Sequence, residues 1–421
     1  MSWKMIRKTR ALRLATTAVL LLGLFVVSGR MQATAASQNA GKSSVVMAEL
    51  FPMTGNISFV GSALLHGATV GMWEVNHHGG IMGHSLQAEL QDDAGDAVDA
   101  VPAWHALELK KPAFELGPTV LTAASVIRLY DPTHLVDFLV AGAPTYDNMN
   151  YPYVFRVTPS DSTMAKGMAA YAVHKHLWHG AMVFTNGFNS QTIVPPLTAD
   201  YTRHGGHVVA NTSIVPSQSS YRTEVEQTFA KKPDAIFWQS DAQTAGTLFH
   251  NMEELGFMKV PVIGTDNAGD VTIAKAMGLK YASKYLTGMA GSAPTGPAWK
   301  HYQADYKQVY HTSQPLDLSS NMYDAVVIAA LAMDAAHSTD PSVWVHKIQT
   351  VSNPPGQRCA TYAGCAGLLR HGKKINFDGA SGPMDFNQHH NVFGPWDVVQ
   401  FDTAGKIHTL YHESASLIQH F

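Results

Sequence analysis

TGNISFVGSALLHGATVGMWEVNHHGGIMGHSLQAELQDDAGD, residues 54–96, holds a loop, a helix, a turn and a strand in one run. Leu64, Leu65, Ala68 and Met72 recur at helical spacing between Gly61 and His78, and Gly79-Gly80 stops the pattern. HSLQAELQDD (84–93) then places Leu86, Ala88 and Leu90 at alternate positions, the period of a half-buried strand. SVVMAEL (44–50), just upstream, reads as a strand of its own. Strand, loop, helix, turn and strand in that order make a β-α unit.

Outward from this stretch the pattern repeats. A helix after Asp96 leads to AFELGP (113–118), another helix, and FLVAGAP (138–144). The cycle restarts near Ser160, with helices at 163–177, 221–231 and 242–255. Its strands are AMVFTN (181–186), HVVANTSIV (207–215), DAIFWQ (234–239) and VPVIGTD (260–266). Two successive runs of β-α units predict two parallel sheets, each covered by helices on both faces. After Leu286 the pattern loosens to a helix at 322–336 and strand-like GPMDFN (382–387) and PWDVVQFD (395–402). So few elements do not make a third domain; they complete the first two. The expected division is lobe 1 at 44–158 with 290–386, and lobe 2 at 159–289 with 387–421. Ligands of open α/β sheets bind at the carboxyl ends of the strands, so two facing lobes predict a cleft site.

Lys4, Arg7, Lys8, Arg10 and Arg13 precede an apolar run from Leu14 to Val27 and then Ala33-Thr34-Ala35. That is the pattern of a cleaved signal peptide over 1–35, and the run is short of the ~20 residues of a spanning helix. No Cys lies near the cut to carry a lipid. Cleavage removes six of the 29 cations and none of the 32 acids, which leaves a net charge of −9. Such a surface disfavours nucleic acid as a partner. The expected location is the periplasm or another extracytoplasmic space. Cys359 and Cys365, the only cysteines, read as a local disulfide in an oxidising compartment, with metal binding as the poorer alternative.

No G-x-G-x-x-G after a strand, G-x-x-x-x-G-K-[ST], G-x-S-x-G or H-E-x-x-H occurs, so the dehydrogenase, P-loop, serine-hydrolase and zincin classes lose their signatures. No cofactor is expected. Of the 22 histidines, His174, His176 and His179 fall within one expected helix ending at Gly180 and read as a solvated helix end; no metal site is expected.

The opening stretch resembles that of type I periplasmic binding proteins of the leucine/isoleucine/valine-binding family. The resemblance rests on Thr54-Gly55, Gly61, Gly67-Ala68, the N-x-x-G-G-I-x-G turn from Asn76 to Gly83, Asp92-Asp93 and Asp96. Phe155-Arg156, Ser160-Asp161, Gly205-Gly206, Pro233-Asp234, Leu255-Gly256, Gly264-Thr265-Asp266, Tyr323-Asp324-Ala325 and Phe377-Asp378-Gly379 extend it over about 44–410. It implies two Rossmann-like α/β lobes joined by a three-segment hinge, a Venus flytrap closing on a small solute for the membrane permease of an ABC importer. The receptor is expected to be a monomer and not an enzyme; a ligand-sensing module on the same fold is the alternative.

The resemblance also implies contacts. A carboxylate-binding Ser of amino-acid-binding relatives falls on Leu121, beside Thr122, and a later pair falls on Ala143 and Pro144, followed by Thr145. The acid that meets the ligand ammonium falls on Asp266. Aromatic contacts fall on Val60, beside Phe59, on Asn189, beside Phe188, and near Asp241. This lining suits a solute with an apolar part and a cationic or hydrogen-bond-donating part, such as an amino acid, amide, polyamine-like or urea-like compound.

Overall fold

The structure is a computed structural model that describes residues 44–421, so the expected signal peptide lies outside the described residues. Fourteen strands are described: β1 (Val45–Phe51), β2 (Leu86–Asp92), β3 (Phe114–Thr119), β4 (Val136–Val140), β5 (Val154–Arg156), β6 (His179–Thr185), β7 (His207–Ile214), β8 (Ala235–Gln239), β9 (Val262–Gly264), β10 (Leu286–Gly291), β11 (Gln357–Cys359), β12 (Ile375–Phe377), β13 (Trp396–Phe401) and β14 (Ile407–Glu413). They form a five-stranded sheet of order β2-β1-β3-β4-β5, a seven-stranded sheet of order β14-β13-β10-β9-β8-β6-β7, and the small pair β11-β12.

Every pairing in the first sheet is parallel. Its inner strand β4 (VDFLV) is buried at all five positions, as expected of a parallel strand covered on both faces. One face packs Met47, Phe114 and Phe138 under helices Ser58–His77 and Ser319–Ala336; the other packs Leu50 and Leu139 under Ala97–Glu108 and Ala123–Thr133, the latter adding Tyr130. Gly67 lets the first two helices touch backbone to backbone, since a Cβ there would sit 1.8 Å from the Ser319 carbonyl oxygen. Asp96 caps its helix by accepting from the Val98 N–H at 2.7 Å.

The second sheet departs from the expected parallel arrangement. β6 to β10 are parallel, but β13 pairs antiparallel with β10, and β14 antiparallel with β13. β10 and β14 had no clear periodic signal. The side chains of β14 (IHTLYHE) are mostly exposed because it is an edge strand, so no apolar alternation marks it. GPMDFN is not a strand: Gly382 has φ +130°, and the Phe386 N–H donates to the Asn353 side chain rather than to a neighbouring strand. Met384 and Phe386 were apolar because they fill the first lobe's core. The helix Asp161–His174 stops before His176, which has φ +57°, and His179 opens β6. The three histidines therefore share no helical face.

The chain crosses between the sheets after β5, after β10 and before β13. These crossings run side by side. The Arg156 N–H donates to the His390 carbonyl at 2.8 Å and the Ser292 N–H to the Pro395 carbonyl at 3.2 Å. Cys359 and Cys365 form a disulfide that ties β11 to the helix Tyr362–Arg370.

Candidate functional site

Eight of the ten expected contact residues lie just beyond the carboxyl end of a parallel strand, and the other two, Phe59 and Val60, follow β1 through the loop 52–57. Leu121 and Thr122 follow β3, Ala143 and Thr145 follow β4, Phe188 and Asn189 follow β6, Asp241 follows β8 and Asp266 follows β9. Crossover helices turn away at these ends and leave a crevice in each sheet.

The residues differ in what they offer. Phe59 is 71% exposed and Leu121 45%, so two large apolar side chains face solvent at adjacent strand ends of the first lobe. Val60 packs partly against the core below. Thr145 is exposed, while Ala143 is buried and its carbonyl accepts from Arg156 Nη1 at 3.1 Å. Thr122 is fully buried and its Oγ1 donates to Asp93 Oδ2 at 2.7 Å. That hydroxyl is committed inside the lobe, so the expected ligand contact does not fall on its side chain. Asp241 caps the helix Ala242–Glu254, taking both the N–H (2.9 Å) and the Oγ1–H (2.7 Å) of Thr244. These bonds hold its carboxyl below the usual range against some burial. Phe188 and Asn189 open the short helix Phe188–Gln191; their side chains lie outside the described residues.

The loop after β4 is braced from beneath. The Arg156 guanidinium, 1% exposed, donates to the carbonyls of Ala141 and Ala143 and pairs with Asp147 at 2.6 Å. Ser160 Oγ donates to the same Asp147 oxygen and its own Oγ caps the next helix through the Ser162 N–H. The adjoining Asp161 N–H donates to the Gly142 carbonyl at 2.7 Å. Gly142 has no side chain to spare, because a Cβ would lie 2.3 Å from Asp161 Oδ1. The first-lobe loop and the first helix of the second lobe thus meet at a carboxylate.

Asp161 is the residue the sequence reading passed over. In the sequence it stands only as half of the Ser160-Asp161 pair that supports the family resemblance. Burial first, and then the negative charge of Asp266, raise its carboxyl to about 7, partly offset by Arg156. Burial raises the Asp266 carboxyl too, although its side chain reaches solvent and accepts from the Asn267 N–H at 3.0 Å. The charge of Asp266 disfavours ionisation of Asp161 at the meeting of the lobes, and a positive charge placed beside Asp161 relieves it. A separate, mostly apolar cavity is walled by Val183, Phe229, Ile236 and Phe249, with Glu224 and Thr228 also in its lining.

Comparison with known proteins places these features. The family model described as periplasmic binding protein matches residues 44–406. A Leu/Ile/Val-binding protein homolog of Brucella melitensis is 23% identical over 319 residues, 75% of this chain and 85% of that protein. The Leu/Ile/Val-binding protein BraC3 of Rhizobium johnstonii is 24% identical over 218 residues, 51% of this chain and 59% of the relative. The aligned stretch therefore spans under two thirds of that relative's length. Among solved structures, a leucine binding protein from Thermotoga maritima superposes with a TM-score of 0.67 at 18% identity, covering 88% of this chain and 99% of that one. A solute binding protein of an ABC transporter from Rhodopseudomonas palustris, in complex with 3,4-dihydroxybenzoic acid, superposes with 0.65 at 15% identity, covering 88% and 98%. At these identities the structures share the fold.

Proposed function

This chain belongs to the periplasmic binding protein family, and from that premise we propose that it is the extracytoplasmic receptor of an ABC importer, binding a small amine-bearing solute between its lobes. The observation that carries the reading is the approach of Asp161 and Asp266. Asp161 opens a helix whose first N–H donates to the Gly142 carbonyl beyond β4, and the Asp266 N–H beyond β9 donates to Met164 Sδ on that same helix at 3.3 Å. An ammonium group there meets two carboxylates, and Phe59 and Leu121 offer apolar surface beside it. Thr145 and the Ala143 backbone supply polar contacts from the first lobe, and Asp241 contributes from the rim of the second. Amino acids and amino amides fit this set. The relatives' names, Leu/Ile/Val-binding, support the amino-acid end of that range.

The lobes, taken as 44–158 with 290–386 and 159–289 with 387–421, close by rotation about the three crossings. The solute's contacts to both lobes supply the free-energy difference that favours the closed form. The closed form is what a membrane permease recognises. Among the described residues no helix is long and apolar enough to cross a membrane, and the basic, apolar and A-x-A segments of residues 1–35 support export.

A thermal-shift screen of refolded, solute-stripped protein against amino acids, amides, polyamines and aromatic acids tests the proposal. A true ligand at a hundred times its dissociation constant stabilises the fold by about 2.7 kcal/mol. Asp266→Asn should weaken an amine-bearing hit by about 1.5–3 kcal/mol, the scale of a charged hydrogen bond. Stabilisation by aromatic acids alone, or an unchanged affinity in Asp266→Asn, would overturn the assignment. The solute should be recovered unaltered.

A further inference from the structure

Away from the cleft, three ligand-type atoms converge inside the first lobe. Glu74 Oε2 lies 3.3 Å from His301 Nε2, and His301 Nε2 lies 3.1 Å from Asp305 Oδ2. All three atoms fall within 4.8 Å of one another. Glu74 is fully buried and Asp305 is 6% exposed. None of these atoms finds a hydrogen-bond partner of acceptable geometry. Buried polar atoms rarely stay unsatisfied, and here three do so while pointing at one place.

The spacing is that of a metal shell. Zinc bonds to nitrogen and oxygen of about 2.0–2.1 Å, opened to a tetrahedral angle, put neighbouring ligand atoms about 3.3–3.4 Å apart. The observed 3.3 Å lies in that range and 3.1 Å just below it, with the third separation within 4.8 Å. Charge agrees: two carboxylates and a neutral imidazole carry −2, which a divalent cation cancels. The ligands sit on rigid supports. His301 and Asp305 are one turn apart on the helix Gly296–Tyr310, and Glu74 is on the helix Ser58–His77. An outer shell orients them: the Tyr362 N–H donates to Glu74 Oε1 at 3.0 Å, and His78 Nδ1 lies 3.2 Å from Oε2. The hydroxyl of Tyr323, fully buried and without a partner, senses the charge of Glu74 and Asp305. The His301 side chain, 29% exposed, leaves a path for the ion and for a water in the fourth position.

We propose that Glu74 Oε2, His301 Nε2 and Asp305 Oδ2 bind one divalent first-row cation of zinc's chemistry, clamping the first helix of the lobe to the helix Gly296–Tyr310. The role is structural. Glu74 lies sixteen positions along its helix from Ser58, about 24 Å from the cleft end at 1.5 Å per residue.

Chelator-stripped protein, passed through gel filtration after exposure to Zn(II), should retain one equivalent by elemental analysis. Co(II) in its place should give the intense visible bands of a four-coordinate ion. His301→Gln alters a partly exposed side chain, so folding is expected to survive; it should weaken Zn(II) binding at least a hundredfold and abolish the Co(II) bands. Asp305→Asn should do the same. Zn(II) should raise the melting temperature of the wild type and not of either variant. Equal retention by wild type and His301→Gln would assign the metal to surface histidines, of which the chain has many, and would overturn the site. Absence of retained metal with only six-coordinate Co(II) spectra would overturn it as well, and would leave His301 as an imidazolium between two acids.

Discussion

Lowering the pH from 8 to 6 should weaken the binding of an amine-bearing solute about tenfold, with Asp161 as the titrating group. Its carboxyl, raised to about 7 by burial and by Asp266, is about 90% ionised at pH 8 and about 10% ionised at pH 6. Only the ionised form attracts an ammonium, so the association constant follows that fraction and loses about 1.4 kcal/mol across the interval. Each binding event at pH 6 then releases close to one proton. Titration calorimetry at pH 6 and 8, in two buffers of different ionisation enthalpy, reads both the affinity change and the proton count. Asp161→Asn should flatten the profile and abolish the release. The linkage has the opposite sign for the empty protein. The unfolded chain holds this carboxyl at its ordinary 3.8, so the folded state binds the extra proton between pH ~4 and ~7. In that window stability falls as pH rises. A flat affinity profile in the wild type, or the same slope in Asp161→Asn, would refute the reasoning.

Two further outcomes separate packing from recognition. Thr122→Val should cost about 1.5–3 kcal/mol of stability, read from urea unfolding midpoints, because Asp93 loses a buried hydroxyl donor. Solute affinity should be unchanged; a loss of affinity at full stability would return Thr122 to the site. Gly67→Ala should destabilise by at least about 1–3 kcal/mol, since its new methyl meets the Ser319 carbonyl of the neighbouring helix. An unchanged midpoint would mean that the helix pair yields freely.

The local pattern of the chain determined most of the architecture. Alternation in LQAELQD and the 3.6-residue recurrence after Gly61 depend only on neighbours, so most strands and helices through β9 were legible. The three-residue β5 was not, and in the edge strand β2 only Leu86 of the alternating set is buried, Ala88 and Leu90 being exposed. With two cysteines the disulfide had one possible pairing. Strand ends mark ligand crevices in any open α/β sheet, so the candidate contacts were legible as positions. Three-dimensional structure decided what each position does. Thr122 and Leu121 are neighbours in the chain, yet one hydroxyl turns inward to Asp93 while the other side chain faces solvent. Asp161 joins Asp266, and Glu74 joins His301 and Asp305, across long stretches of sequence that carry no periodic trace of the encounter. β14 escaped notice for a related reason: an edge strand outside the core has no buried face to impress a pattern on its sequence. Periodicity records which face of an element is buried. Which charged groups then meet depends on how the elements pack, and that is settled only when the lobes form.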